Sequence, residues 1–389
     1  MANHAILAAS ASHRWLNCPP SVRLTERIPD NGSIYAAEGS EAHELCEFKL
    51  RQLLGMEAHN PLDTPIGLQY YDGTMEDAAT GYAAFVLELL EEIRKTCSDP
   101  IVMVEQKLDY SHWVKDGYGT GDAVIVADGT LHVVDFKYGT GVLVSAEGNS
   151  QMRLYALGAL DMFGELYDID TVVTTIYQPR LASISTDTIS RIDLLDWAEN
   201  TLRPLADQAY KGEGDLNAGS WCRFCKLRNT CRKRAEANLA MAQHDFKLLP
   251  TLSDEEIAVI LDKLDDLISW AGDVKEYALN AALHGTRFHG WKLVEGRSNR
   301  RYTDETAVAQ IVSDTGHDPY EHKLLGITAM EKLLGKKQFA TLLSDLVERP
   351  QGKPVLVPAS DKRPEMTNAK NDFAKLPRSI HLRARANGV

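Results

Sequence analysis

Residues 121–139 have the sequence GDAVIVADGTLHVVDFKYG, in which Asp128-Gly129 separates two apolar runs. An Asp-Gly pair between such runs is the strongest short signal for a β-hairpin with a two-residue turn. Opposed residues in this hairpin have numbers that add to a constant, so Val124 faces Val133 and Asp122 faces Asp135. The stretch therefore predicts two antiparallel strands with a pair of carboxylates at their open end.

This carboxylate pair has the chemistry of a divalent-cation site. Directly opposed side chains have Cβ atoms roughly 5 Å apart, and Lys137, two residues beyond Asp135, points to the same face. Carboxylate oxygens suit Mg²⁺ or Mn²⁺, and a nearby lysine can position an attacking water and stabilise developing negative charge. The pattern predicts Asp122, Asp135 and Lys137 as catalytic residues and both acids as metal ligands.

A purely structural interpretation of these residues also exists. Asp122 can simply begin a strand, and Asp135 can pair with Lys137 on an exposed face, as in most isolated D-x-K motifs. However, the run VVDFK (133–137) is apolar on both faces of its strand, and an acid embedded there has to be compensated. Together with the hairpin register, this favours the functional interpretation.

Hydrophobic periodicity predicts the elements around the hairpin. We expect helices over 38–54, 75–96, 150–163 and 194–210, and further strands over 101–110 and 171–178. The residues up to about 35 contain several proline and glycine breakers and are expected to be irregular. The order of helix, three antiparallel strands, crossover helix and fourth strand predicts an α/β core with a mixed sheet flanked by helices.

Three more side chains on the predicted helices are candidates for the same site. His43 lies in the apolar stripe of helix 38–54, where a histidine is also compatible with a core role. Gln151 and Tyr155 are four residues apart on helix 150–163 and so share one face. Taken singly, each of them is compatible with ordinary packing.

Three cysteines form the motif C-x2-C-x5-C at Cys222, Cys225 and Cys231. Thiolates at such spacing bind zinc or an iron–sulfur cluster, and both need a fourth ligand. Of the remaining cysteines, Cys46 falls on a buried helical stripe and Cys97 ends a helix. Cys18 lies in a loop before two prolines, where a ligand can be presented freely.

The net charge of −13, from 42 basic and 55 acidic residues, argues mildly against nucleic-acid binding, which needs Lys and Arg. The segment 223–234 is nevertheless basic and contains no acid, and local basic strips can bind nucleic acid in an acidic protein. The candidate nucleic-acid contacts are Arg223, Lys226, Arg228 and Arg232.

The rest of the chain sets the expected domain organisation and location. We expect a first domain over 1–240, a mainly helical domain over 245–349, with helices near 257–282, 305–313 and 328–346, and an extended basic tail over 350–389. No apolar run reaches the length of a membrane span. No Lys or Arg precedes the short apolar stretch near the start, so we expect no secretory signal, no membrane association and a cytoplasmic location in a bacterial host cell.

The motifs GSEAH (39–43), GTGDAVIVADGTLHVVDFKYG (119–139) and QMRLY (151–155) together resemble the RecB-like branch of the PD-(D/E)XK nucleases. The resemblance implies a restriction-endonuclease-like core over about 9–234. It also implies that His43, Asp122 and Asp135 bind the metal, that Lys137 is catalytic, and that Gln151 and Tyr155 support the site. Glu105 matches a position that is often acidic in this branch.

The cysteine spacing is similar to that of AddB-type and CRISPR-associated RecB-like nucleases, which hold a [4Fe–4S] cluster. This resemblance implies the ligand set Cys18, Cys222, Cys225 and Cys231, with zinc in the same residues as the alternative. A phage and prophage family of uncharacterised RecB-like proteins is similar in four further stretches, SASHRWLNCPPS (10–21), YAAEGSEAHEL (35–45), IYQPRL (176–181) and GITAMEKLLGKKQF (326–339).

The expected function is that of a Mg²⁺- or Mn²⁺-dependent deoxyribonuclease. We expect a phage exonuclease or end-processing enzyme of recombination or replication that hydrolyses phosphodiester bonds in single-stranded DNA or at duplex ends. A phage single-strand annealing protein or a helicase is a candidate partner. The alternatives are a catalytically inactive nuclease-fold protein that binds DNA or scaffolds a recombination complex, and an interaction protein that recruits such a partner.

Overall fold

The computed structural model describes residues 5–29, 32–64, 66–243, 254–294, 303–320, 324–343 and 346–347. The chain divides into two compact units, Met1–Trp291 and Lys292–Val389. The tail predicted for residues 350–389 lies outside the described residues, and the predicted domain limits stay predictions.

Five strands form one sheet in the first unit. They are β1 (Ile101–Asp109), β2 (Tyr118–Ala127), β3 (Gly129–Phe136), β4 (Ile169–Gln178) and β5 (Ser183–Ser190). Their order in the sheet follows the chain. β3 and β4 are parallel and the other neighbours are antiparallel, so the sheet is mixed. Val124 pairs with Val133, which confirms the predicted hairpin register.

Helices cover both faces of this sheet. The described helices of the first unit are α1 (Ser12–Asn17), α2 (Ser21–Thr25), α3 (Ile34–Leu53), α4 (Gly73–Ile93), α5 (Ser150–Phe163), α6 (Arg191–Trp197), α7 (Arg203–Lys211), α8 (Arg232–Gln243) and α9 (Asp254–Leu283). Residues of α3 and α4 share a core with Ile125 and Phe136. Residues of α1, α2, α5, α6 and α7 share the other core with Val124 and Val133. Because β2 is buried on both faces, its sequence is a continuous apolar run.

The N-terminal residues differ from the prediction, since they contain α1, α2 and the first turn of α3. The prolines at 19 and 20 do not exclude helix here, because they lie between α1 and α2. At a helix start the missing N–H of proline loses no hydrogen bond. Trp15 of α1 is fully buried and packs this segment into the core. This burial favours helical structure despite the nearby proline and glycine residues.

Strand β5 was not predicted at all. Its sequence, SISTDTIS, is polar, and it forms the edge of the sheet beside β4. An edge strand with few buried side chains lacks the apolar alternation by which strands are recognised.

The described part of the second unit is helical, with α10 (Glu305–Asp314), α11 (Ile327–Leu334) and α12 (Lys336–Leu343). The sequence predicted one helix over 328–346. The structure interrupts it at Gly335, whose φ of 76° ends α11. None of the described helices is long and apolar enough to cross a membrane.

Candidate metal centre and cysteine site

Helix α3 places His43 against the open end of the hairpin. The helix is capped by the Ser33 hydroxyl, which accepts a hydrogen bond from the Ala36 amide. It is tied to β1 by Arg51, whose Nη2 donates to the Val104 carbonyl at 3.1 Å. His43 is therefore held over the sheet, with its Nδ1 3.3 Å from Oδ1 of Asp122.

Asp122 is fixed by the hairpin itself. Its Oδ2 accepts a hydrogen bond from the Phe136 amide at 2.6 Å, and the residue is almost fully buried. The pairing of Ala123 with Val134 is the last before this point. This hydrogen bond holds the Asp122 carboxylate of β2 against the Phe136 amide of β3, one residue beyond Asp135.

Glu105 completes a close group with these two residues. Val104 pairs with Ala123 and Gln106 pairs with Gly121, so Glu105 lies opposite Asp122. One ligand atom from each of His43, Glu105 and Asp122 lies within 4.8 Å of the others. Glu105 has a φ of 51°, the left-handed conformation that costs a residue with a side chain about 1–2 kcal/mol. Residues with strained backbone conformations cluster at functional sites.

Asp135 and Lys137 lie beside this group. The Lys137 ammonium is 2.9 Å from Oδ2 of Asp135, and the Asp135 side chain is only 3% exposed. This oxygen accepts no hydrogen bond of regular geometry among the described residues, so the lysine charge is its compensation. The group of close ligand atoms contains Glu105 where the sequence predicted Asp135.

Gln151 and Tyr155 reach the same place from α5. The Gln151 amide donates from Nε2 to Oδ1 of Asp135 and to the Tyr155 hydroxyl, at 3.1 Å in both cases. A side chain at position 119 would collide with the Tyr155 ring, since an added Cβ would lie 2.6 Å from its Cε1. Gly119 is therefore required for α5 to bring the pair to Asp135.

The pKa values of His43, Glu105 and Asp135 are all raised in this centre. Burial lowers the pKa of His43, but the charge and hydrogen bond of Asp122 raise it by more, to about 9. Burial and the Asp122 charge raise the pKa of Glu105 to about 7. Burial also raises the pKa of Asp135, although Lys137 opposes this shift. A site that binds protons this readily is one in which a cation can replace them.

The donor set fits a hard divalent cation. It offers carboxylate oxygens and one imidazole nitrogen, which suit Mg²⁺ or Mn²⁺. His43, Glu105 and Asp122 would hold the ion, with Asp135 as the adjacent carboxylate. The sequence singled out every member of this set, but it gave Glu105 the least weight.

The four cysteines of the predicted cluster site line one cavity of about 200 Å³. Cys18 ends α1, and the other three lie in a series of turns in which Cys225 N bonds to the Cys222 carbonyl and Cys231 N to the Leu227 carbonyl. None of the four forms a disulfide bond. Cys46 and Cys97 belong instead to the core under α3 and α4.

The four cysteines supply the same ligand set for either candidate group. Zinc takes four thiolates with Zn–S bonds of about 2.3 Å. A [4Fe–4S] cluster takes four thiolates, each on a different iron. The cavity that the four cysteines line therefore offers a complete set of thiol ligands for both groups.

Three of the four basic residues predicted to contact nucleic acid have contacts within the protein. Arg223 donates to the Gly141 carbonyl at 3.3 Å, Lys226 to the Ile28 carbonyl at 3.0 Å, and Arg228 to Asp273 at 3.2 Å. Arg232 is exposed. The sequence did not single out Phe224, which is 74% exposed in the same segment.

The fold and the centre thus define an α/β protein with a five-stranded mixed sheet and a histidine–carboxylate group at the open end of its central hairpin. A family model described as "Protein of unknown function (DUF2800)" matches residues 4–364, and the chain belongs to this DUF2800 family. Among solved structures, "Crystal structure of SSO0001" is similar at 13% identity and a TM-score of 0.24, over 57% of this chain and 96% of that chain.

Proposed function

We propose that this protein is a metal-dependent DNA nuclease with a PD-(D/E)XK core. The observation that carries the proposal is the convergence of His43, Glu105 and Asp122 beside the Asp135–Lys137 ion pair. Three carboxylates, a histidine and a lysine at one point serve no packing need, since buried charges cost stability unless they are compensated. The motifs GSEAH, the hairpin and QMRLY support the same function.

Each residue of the centre has a separate role in phosphodiester hydrolysis in this proposal. His43, Glu105 and Asp122 would hold a divalent cation, which would supply positive charge for a phosphate oxygen and lower the pKa of a water molecule. Asp122 is oriented by the Phe136 amide, and Asp135 by the Gln151 amide. Lys137, held by Asp135, is placed to orient the attacking water and to stabilise the negative charge of the transition state.

The substrate in this proposal is DNA, and the enzyme is a phage exonuclease or end-processing enzyme that works with a single-strand annealing protein or a helicase. Arg232 and the exposed ring of Phe224 suit a DNA strand, because a positive charge binds phosphate and an aromatic ring stacks on bases. The cysteine cavity holds a [4Fe–4S] cluster in this proposal, and the cluster joins α1 to residues 222–231.

A cleavage assay tests the nuclease proposal directly. The full chain, purified without oxygen, is incubated with Mn²⁺ and end-labelled single-stranded, linear duplex and closed circular DNA. We expect cleavage of linear DNA, and none with chelator or in Asp122→Asn. DNA binding by the wild-type protein without cleavage of any substrate would favour the inactive scaffold instead.

A further inference from the structure

Arg234 is a fully buried arginine in the first turn of α8. It is 0% exposed and lies in α8, which begins directly after Cys231. A buried guanidinium is costly unless each part of it is compensated by charge or hydrogen bonds. The partners of its nitrogen atoms therefore have to be accounted for one by one.

One edge of the guanidinium is well compensated. Nη1 donates to Oδ2 of Asp273 at 2.5 Å and to the Arg228 carbonyl at 3.2 Å. Asp266, on the same helix α9, lies 3.6 Å from Nη2, a distance that neutralises charge without forming a hydrogen bond. The side chain is thus held in one orientation by α9.

Two further donors of the guanidinium, Nε and Nη2, remain to be accounted for. Nε and Nη2 are buried and lack a hydrogen-bond partner among the described residues. Arg234 lines the cavity that contains Cys18, Cys222, Cys225 and Cys231, and its charge acts on the Cys222 thiol. Unsatisfied buried donors beside a cavity lined by thiols indicate an acceptor that belongs in the cavity.

We propose that Arg234 donates hydrogen bonds from Nε and Nη2 to sulfur atoms of the group held by the four cysteines, and so tunes that group's reduction potential. This inference rests on the [4Fe–4S] cluster of the proposed function. Hydrogen bonds and positive charge at the sulfur atoms stabilise the more negative, reduced state of a cluster. Asp273 and Asp266 act through Arg234, as residues that position it.

The test measures the cluster and not the nuclease. Wild-type protein, Arg234→Gln and Arg234→Lys are purified anaerobically as full chains, and iron and acid-labile sulfide are measured. Each cluster is then titrated with dithionite and redox mediators and followed by electron paramagnetic resonance. Arg228→Gln is the matched control, because Arg228 lines the same cavity and binds the same Asp273 but has a partly exposed side chain.

We expect Arg234→Gln to lower the reduced-to-oxidised ratio at a fixed potential by about tenfold or more, which is about 59 mV for a one-electron couple. Arg234→Lys keeps the charge and the Asp273 pair, so its reduction potential should lie between those of Arg234→Gln and wild type. If Arg234→Gln folds poorly, the potential of Arg234→Lys should still lie below that of wild type. An unchanged potential and spectrum in Arg234→Lys, or an equal shift in Arg228→Gln, would overturn the inference. Wild-type protein without iron and sulfide would overturn the cluster itself, whatever the result of the nuclease assay.

Discussion

Glu105 and Asp122 lie opposite each other on neighbouring strands, with Glu105 in a left-handed backbone conformation. Like charges directly opposed in a sheet destabilise it, and the backbone strain adds to that cost. A fold keeps such an arrangement when a ligand compensates it. The pair therefore indicates cation binding more strongly than either carboxylate does alone.

Substitution of Glu105 should separate metal affinity from folding. Glu105→Gln keeps the shape of the side chain but removes the charge, so we expect Mn²⁺ affinity to fall by about tenfold or more. At pH above about 7, where Glu105 is ionised, the metal-free protein should become more stable, because the repulsion between Glu105 and Asp122 is lost. Calorimetric titration with Mn²⁺ and thermal melts in chelator measure the two effects.

Glu47→Gln is the matched control, since Glu47 lies on α3 near the centre and pairs with Arg51 outside the close group of ligand atoms. Its Mn²⁺ affinity should stay at the wild-type value. Equal loss of affinity in both variants would show a general charge effect and remove Glu105 from the ligand set.

Substitution of Lys137 should affect chemistry and leave metal binding in place. Lys137→Gln removes the ammonium but keeps a donor near Asp135, so cleavage should be lost while Mn²⁺ still binds. Metal-free stability should fall, because a buried carboxylate loses its countercharge. Lys107→Gln, a change to an exposed lysine on β1, should keep both properties. Wild-type cleavage rates in Lys137→Gln would exclude a catalytic role.

Local sequence patterns predicted much of this centre. The Asp128-Gly129 turn determined which residues of β2 and β3 are opposed, and helical spacing placed Gln151 and Tyr155 on one face. The place of Glu105 among the close ligand atoms depends on its positive φ, which no spacing rule reveals. In the sequence, Glu105 lies within an ordinary strand pattern. The Arg234–Asp273 contact joins α8 to α9 across a long separation in sequence, and no periodicity links the two residues.

Metal binding should depend on pH because a cation has to displace protons. The pKa of His43 is raised from 6.5 to about 9 and that of Glu105 from 4.5 to about 7. The metal-free folded state therefore binds more protons than the unfolded chain between these values. The free energy of folding that the raised pKa of Glu105 contributes is fully present below pH 4.5 and is lost as the pH rises through about 7. The contribution of His43 is fully present below pH 6.5 and is lost as the pH rises through about 9.

Mn²⁺ affinity should accordingly rise with pH, by about tenfold per unit between pH 7 and 9, where one proton is displaced from His43. Below pH 7 the rise should be steeper, since Glu105 also has to lose a proton. In Glu105→Gln the steeper part should disappear. Affinity that is independent of pH from 6 to 9, measured by titration in matched buffers, would contradict the assignment of these two ligands.

Loss of Cys18 should affect folding as well as the cluster. Cys18 lies between α1 and α2, whereas the other three ligands lie about two hundred residues later, so a group bound by all four closes a very long loop. Binding free energy at such a site contributes to folding. Cys18→Ala should therefore lose iron, sulfide and brown colour together, and melt at a lower temperature than wild type.

Cys46→Ala and Cys97→Ala, which remove buried thiols of the other core, should keep the colour and the iron content even where they lower stability. Wild-type protein that is colourless and contains one zinc per chain would replace the cluster with a zinc site. A Cys18→Ala protein with full iron content would show that a fourth ligand other than Cys18 completes the site.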